Sequence, residues 1–172
     1  MGEGTGNASE VELLRTVVQE SLGRNQHVLG RQVAGLTHAD SLLQPQPRGN
    51  CLNWVVGHMA ASREGMLGVL DEDAVFGMNA LVHYVRGSEP ILADGDGVLP
   101  LADLLSGFNA QQERLARAIA AASPETLAHP SPGMEGMSVI EELQFLAWHE
   151  TYHLGQTDFL RQLSGVDDCV IA

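Results

Sequence analysis

Two histidines, His149 and His153, lie four positions apart near the end of the chain. In a helix this spacing puts both imidazoles on one face, one turn apart, where their nitrogens can bind one metal ion. Phe145, Leu146 and Leu160 lie about one or two turns away on the same side, so the pair faces the protein interior. Because an inward imidazole needs a polar partner, the spacing indicates half of a metal site. The alternative is two core histidines that hydrogen-bond to carbonyl or carboxylate groups.

A third histidine, His58, lies on an apolar stripe of an earlier predicted helix. Trp54 is on its face, and the small residues Ala61, Ser62 and Gly65 leave room for a neighbouring helix or a ligand to approach. Three nitrogen ligands with one open position are typical of catalytic zinc sites, whereas structural zinc sites use four protein ligands. A divalent ion in such a site lowers the pKa of a bound water or thiol.

The segment His149–His153 also spells H-E-x-x-H, the pattern of zinc proteases in which the glutamate is the general base. The extended form of that pattern requires a glycine at 156 and a histidine at 159, where this chain has Gln156 and Phe159. No strand is predicted before the helix, and we therefore do not expect a protease. The late ligand candidates that it would need are Asp158, Asp167, Asp168 and Cys169.

Other polar and aromatic residues surround the three histidines in the sequence. Glu150 has three interpretations: a hydrogen-bond partner of a neighbouring imidazole, a general base for a metal-bound water, or a surface residue, of which we favour the last. We expect the candidate substrate contacts to include the side chains at Trp54, Tyr152 and Gln156, together with an exposed His83. Trp148 is expected in the core, where it would line the pocket.

Four amphipathic helices position these residues, and no alternating strand pattern accompanies them. The fold class is therefore all-α, a four-helix bundle whose core can hold metal ligands from facing helices. A long connection, residues 71–99, joins helices two and three and is expected to be a functional cover, a crossover or disordered. The helices are predicted from a capping box at Ser9 to about 33, from a cap at Asn50 to about 70, from Pro100 to about 122, and from a capping box at Ser138 to about 163, with short helical turns near 39–43 and 123–125.

Length and charge limit the classes of function. The 172 residues predict one domain at 9–165, between tails at 1–8 and 166–172. The net charge of −13 disfavours binding to nucleic acids and to anionic membranes. With no signal peptide or membrane-spanning stretch, we expect a cytoplasmic protein whose Cys51 and Cys169 are thiols.

The segments Trp54-Val-Val-Gly-His58 and His149-Glu-Thr-Tyr-His153-Leu-Gly-Gln156 resemble the DinB-like (YfiT-like) metalloprotein family, over about residues 9 to 163. The resemblance implies a four-helix bundle, usually a homodimer, that binds a divalent metal such as zinc or nickel through His58, His149 and His153. It also implies thiol-dependent S-transferase or isomerase chemistry with a low-molecular-weight thiol such as bacillithiol or mycothiol.

The leading hypothesis is therefore a metal-dependent enzyme that transfers a low-molecular-weight thiol to an electrophilic small molecule. Because the chain is acidic, Arg48, Arg63 or Arg86 would have to attract an anionic thiol. The alternatives are a metal-dependent hydrolase that uses bound hydroxide, and a stress protein that binds metal or ligand without catalysis. The simplest alternative is a helical bundle whose histidines satisfy one another without metal.

Overall fold

The computed structural model describes residues 8–77, 79–166, 168 and 170, and every regular element within them is helical. This confirms the all-α prediction. None of these helices is both long and apolar enough to cross a bilayer. The four long helices are α1 (Ala8–Gln32), α3 (Leu52–Val69), α4 (Leu101–Ala121) and α6 (Val139–Gln162), with two short helices, α2 (His38–Ser41) and α5 (Pro124–Ala128), and a 3₁₀ helix at Val82–Tyr84.

The division into one domain and two tails stays a prediction. Residues 1–7 of the predicted N-terminal tail lie outside the described residues, and Ala8, which was expected in that tail, begins α1. Asp167 and Cys169, two of the late ligand candidates, also lie outside them.

The predicted helix starts are right for α4 and α6 and wrong for α1 and α3. At α6 the capping box is present, because the Glu141 carboxylate accepts a hydrogen bond from the Ser138 backbone N–H over 2.7 Å. Ser9, the predicted cap of α1, lies inside that helix. The cap of α3 is Cys51 instead of Asn50, and it makes no side-chain cap hydrogen bond. Burial explains this shift, since the Cys51 side chain is completely buried while its carbonyl accepts the first helical bond from Val55 N–H.

The long helices do not follow a simple up-and-down ring. α1 packs against α4 and α6, and α3 packs against the same two helices. Consecutive long helices α1 and α3 therefore lie diagonally, as do α4 and α6. The connections 33–51 and 122–138 each join two helices that lie diagonally across the bundle, whereas the long connection 71–100 joins two neighbouring helices. These neighbours run in the same direction, because Asn53 at the start of α3 donates to the Leu99 carbonyl just before α4, and Met66 near the end of α3 lies in one buried cluster with Leu115 of α4. The long connection therefore returns along the length of the bundle, which confirms the crossover among the expected alternatives.

The long connection also covers α3. The ring of Tyr84 lies on the backbone of Gly57, where an added Cβ would be 2.0 Å from Tyr84 Cδ1. The Tyr84 hydroxyl donates to Asn53 Oδ1 over 3.0 Å and accepts from the backbone N–H of Leu99 over 2.7 Å. Tyr84 is completely buried, so this loop is a packed part of the core beside His58.

Candidate metal centre

The predicted convergence of His58 with His149 and His153 is confirmed. One ligand atom from each imidazole lies within 4.8 Å of the other two, although His58 is 91 positions before His149. The Nε2 atoms of His149 and His153 are 3.1 Å apart. His58 is buried and the other two are half-buried, so the group lies between α3 and α6 at the edge of the core.

In each imidazole the other ring nitrogen, Nδ1, faces a protein oxygen. His58 Nδ1 lies 2.7 Å from the Tyr84 carbonyl, and His153 Nδ1 lies 3.0 Å from Gln156 Oε1. Both oxygens can only accept, so these Nδ1 atoms carry the proton and their Nε2 atoms keep a free lone pair. His149 Nδ1 lies 3.5 Å from Ser62 Oγ, whose own hydrogen is donated to the His58 carbonyl.

This hydrogen-bond pattern fits a metal ion. Metal-binding histidines commonly donate their second ring N–H to a carbonyl or carboxylate, which fixes the tautomer. Two Nε2 lone pairs at 3.1 Å repel each other unless a cation or proton lies between them. The arrangement therefore suits a divalent cation that shares three Nε2 ligands.

Two of the imidazoles, those of His149 and His153, are shifted toward the neutral form that a metal ligand needs. Burial, followed by the charges of His153 and His58, lowers the pKa of His149 to about 4. Burial is also the main cause that lowers the pKa of His153, and the hydrogen bond to Gln156 opposes it. Protons therefore compete less with a metal for the nitrogens of His149 and His153 than for those of an ordinary histidine.

Trp54 orients His58 by packing against one face of the imidazole ring. The two rings stack with centroids 4.7 Å apart and planes 12° from parallel. Trp54 Nε1–H donates to Ser88 Oγ over 3.0 Å, which ties the indole to the long connection. Trp54 is 7% exposed, so a contact with substrate stays a prediction.

His83 is exposed, as expected, and packs against Gly97 within the long connection. No contact among the described residues joins it to the three histidines, so its predicted role in substrate binding remains a prediction.

The surface of α6 next to the histidines is aromatic. Tyr152 is 59% exposed and meets the His153 ring edge-on, with centroids 5.2 Å apart. Trp148 is 60% exposed, so its expected place in the core is wrong. Its indole instead packs against the rings of Phe145 and Tyr152 on the helix surface. This row of rings offers apolar surface beside the candidate metal site.

The surface interpretation of Glu150 is wrong, because its side chain is completely buried. Both carboxylate oxygens accept from the guanidinium of Arg63, over 2.7 and 3.0 Å. Arg63 is completely buried as well, so it cannot supply free positive charge for an anionic thiol. Arg48 and Arg86 are exposed, and neither has a described contact with the histidines.

Two described late ligand candidates, Asp158 and Asp168, have other partners, and so does the Cys51 thiol. Asp158 accepts from Gln32 Nε2, and Asp168 is paired with Arg161. The Cys51 thiol donates to the Ile91 carbonyl, and burial raises its pKa, so it is a poor thiolate.

Sequence reasoning missed three partners of the site, namely Tyr84, Ser62 and the Arg63 guanidinium. Tyr84 acts through its backbone carbonyl, which leaves no signal in a side-chain pattern. Ser62 and Arg63 follow His58 by one turn or slightly more, and only the packing of α3 on α6 gives them partners.

A comparison with protein families matches the model described as the DinB superfamily over residues 21–157. The matched region runs from α1 into α6 and includes all three histidines. No curated protein matches the chain.

Proposed function

The chain belongs to the DinB superfamily, and we propose that it binds one divalent cation, zinc or nickel, through Nε2 of His58, His149 and His153. With that cation it would transfer a low-molecular-weight thiol to an electrophilic small molecule. The observation that carries the metal site is the set of three close imidazoles in which two Nδ1 atoms donate to obligate acceptors. The thiol chemistry is supported by the family resemblance alone.

The protein's own groups have separable roles in this proposal. The histidines hold the cation, which when bound would lower the pKa of a thiol. Tyr84, Gln156 and Ser62 orient the imidazoles. In the transfer, the thiol gives its proton to solvent water and its sulfur forms a C–S bond with the electrophilic carbon. The bond from that carbon to the leaving group breaks, and the leaving group departs with the electron pair. The exposed ring of Tyr152, which meets the His153 ring, would contact the apolar part of the electrophile.

A metal-dependent hydrolase is the second candidate, and a specific observation favours it. An anionic thiol needs positive charge at the site, and the described surroundings of the three histidines offer no free cation because Arg63 is paired with Glu150. A water nucleophile requires no such anchor. Turnover without added thiol would select this candidate.

We also propose that the protein is a cytoplasmic homodimer. The resemblance implies the dimer. The aromatic surface of α6 supports it because two copies that each carry a charge of −13 repel each other wherever their acidic surfaces meet, whereas this surface is uncharged. A cytoplasmic location is supported by the need for a reduced thiol.

The first experiment measures metal in protein purified without a histidine tag. We expect about one zinc or nickel ion per chain, as a three-histidine site with one open position requires. His58→Ala, His149→Ala and His153→Ala should each lose it. His27→Ala is the matched control, because His27 is exposed on α1. Equal metal content in all five proteins would contradict the site.

The second experiment measures turnover of a haloalkane and an epoxide with and without several thiols, each with and without a chelator. Thiol-dependent activity that the chelator abolishes supports the transferase. Thiol-independent activity supports the hydrolase, and tight metal binding with no turnover supports a non-catalytic binding protein.

A further inference from the structure

A buried ion pair joins α3 and α6, the two helices that carry the three histidines. Arg63 and Glu150 are both fully shielded from solvent. Arg63 Nε donates to Glu150 Oε2 over 2.7 Å, and Nη2 donates to Oε1 over 3.0 Å. Two parallel hydrogen bonds fix the relative orientation of the groups as well as their distance. The pair therefore resists both sliding and rotation of α3 against α6.

The rest of the Arg63 guanidinium is bound to the other two long helices. Its Nη1 donates to Gln26 Oε1 on α1 over 2.8 Å and to the Phe108 carbonyl on α4 over 3.1 Å. The guanidinium carbon also lies 3.5 Å from the centre of the Phe108 ring. All four long helices thus meet at one side chain, which cannot shift without losing bonds to its neighbours.

This junction is close to the metal centre along both helices. Glu150 directly follows His149, and Arg63 is five positions after His58, about 7.5 Å along the helix axis. Over so short a length a helix moves as a rigid body. A change of register at the ion pair would therefore move His58 relative to His149 and His153.

We propose that Arg63 and Glu150 are positioning residues: their bidentate ion pair holds α3 and α6 in the register at which His58 can share one cation with His149 and His153. This inference rests on the metal site proposed above. Both oxygens of Glu150 are bound to Arg63, so Glu150 is not the general base that the H-E-x-x-H pattern suggests. The competing explanation is that the pair stabilises the fold without affecting the geometry of the site.

Glu150→Gln is the first test, because it keeps the size of the side chain and removes its charge. The dissociation constant for Co²⁺ is measured by competition with a chromophoric chelator, together with the visible absorption spectrum of the bound Co²⁺. Both are recorded at a temperature at which circular dichroism shows the variant to be folded. We expect the dissociation constant to rise about 10-fold or more, as for other residues that orient metal ligands, and the spectrum to change.

The double variant Arg63→Met with Glu150→Leu keeps the test valid if Glu150→Gln does not fold. It replaces both charges by apolar side chains and so leaves no unpaired charge in the core. Arg161→Met is the matched control, because Arg161 is also buried and makes hydrogen bonds to Asp168 and to the carbonyl of Gln32. It lies on α6 eight positions beyond His153, so it should lower the unfolding temperature and leave Co²⁺ affinity within about twofold, since distant sites act independently.

The inference is overturned if the folded double variant binds Co²⁺ with the wild-type constant and spectrum. It is also overturned if Arg161→Met weakens Co²⁺ binding as much as Glu150→Gln does, because the effect would then follow stability alone. Failure of the metal proposal itself has a different signature, since the wild-type protein would then bind no Co²⁺.

Discussion

Gly57 and Tyr84 are in direct contact, with the tyrosine ring lying where the Cβ of any larger residue would be. This contact lets the long connection approach α3 closely enough for the Tyr84 carbonyl to accept from His58 Nδ1. A glycine inside a helix, which normally lowers helix stability, is therefore required here by packing.

Gly57→Ala should push the Tyr84 ring away from α3. We expect a loss of about 1–3 kcal/mol in the free energy of unfolding, as for other overpacked cores, measured by urea denaturation. Gly65→Ala is the control on the same helix, because nothing lies within 4 Å of its added Cβ. Its free energy of unfolding should instead rise by up to about 1 kcal/mol, because alanine has the higher helix propensity. Equal effects of the two substitutions would contradict the contact.

Gln156→Ala should weaken metal binding with little loss of stability. Without Gln156 Oε1 the His153 ring loses the acceptor that fixes its tautomer, and we expect a 10- to 100-fold rise in the dissociation constant. Isothermal titration with Zn²⁺ measures this. Gln144→Ala, an exposed position on the same helix, is the control and should bind as the wild type does. An unchanged constant for Gln156→Ala would show that this hydrogen bond does not hold the ligand.

Removing the metal should lower thermal stability. A ligand that binds only the folded state stabilises it by about 2.7 kcal/mol at a free concentration 100 times its dissociation constant. Differential scanning calorimetry should therefore show a lower Tm after chelation and dialysis, and its recovery with Zn²⁺. His153→Ala should show neither change. A chelator-induced shift of the same size in that variant would mean that the stabilising ion binds elsewhere.

Stability at low pH should depend on the capping box of α6. Hydrogen bonds from the backbone and then the side chain of Ser138 lower the pKa of Glu141 below its ordinary value of 4.5. The ionised carboxylate therefore stabilises the folded state above pH 4.5, and this contribution is lost as the pH falls through the lower, folded-state pKa. Glu141→Gln should be less stable than the wild type at pH 7, with the difference shrinking below pH 4.5 in denaturant titrations. Glu113→Gln, an exposed position on α4, should leave the pH dependence unchanged.

The aromatic surface of α6 should mediate the proposed dimer. Trp148→Asp places a charge among rings that are otherwise apolar, and sedimentation should then report one chain of 18.4 kDa instead of two. Leu13→Asp is the control, because Leu13 is a similarly exposed apolar residue on α1. If Trp148→Asp remains a dimer, the subunits associate through another surface.

The sequence by itself determined the helices and the pairing of His149 with His153. Both depend on local spacing, since one turn of helix brings residues four positions apart onto one face. The capping box at Ser138 was readable for the same reason. The prediction of Asn50 as the cap of α3 is wrong because burial of Cys51, a tertiary effect, decides where α3 begins.

Tertiary structure alone decided the order of the helices and the role of Glu150. Helical periodicity shows that a face is buried but not which helix covers it, so the diagonal placement of α1 and α3 had no sequence signal. The sequence pattern favours a surface position for Glu150. The packing of α3 on α6 places Arg63, which is 87 positions away in the chain, against its carboxylate. A buried charge is tolerated only with such a partner, and that partner comes from the fold.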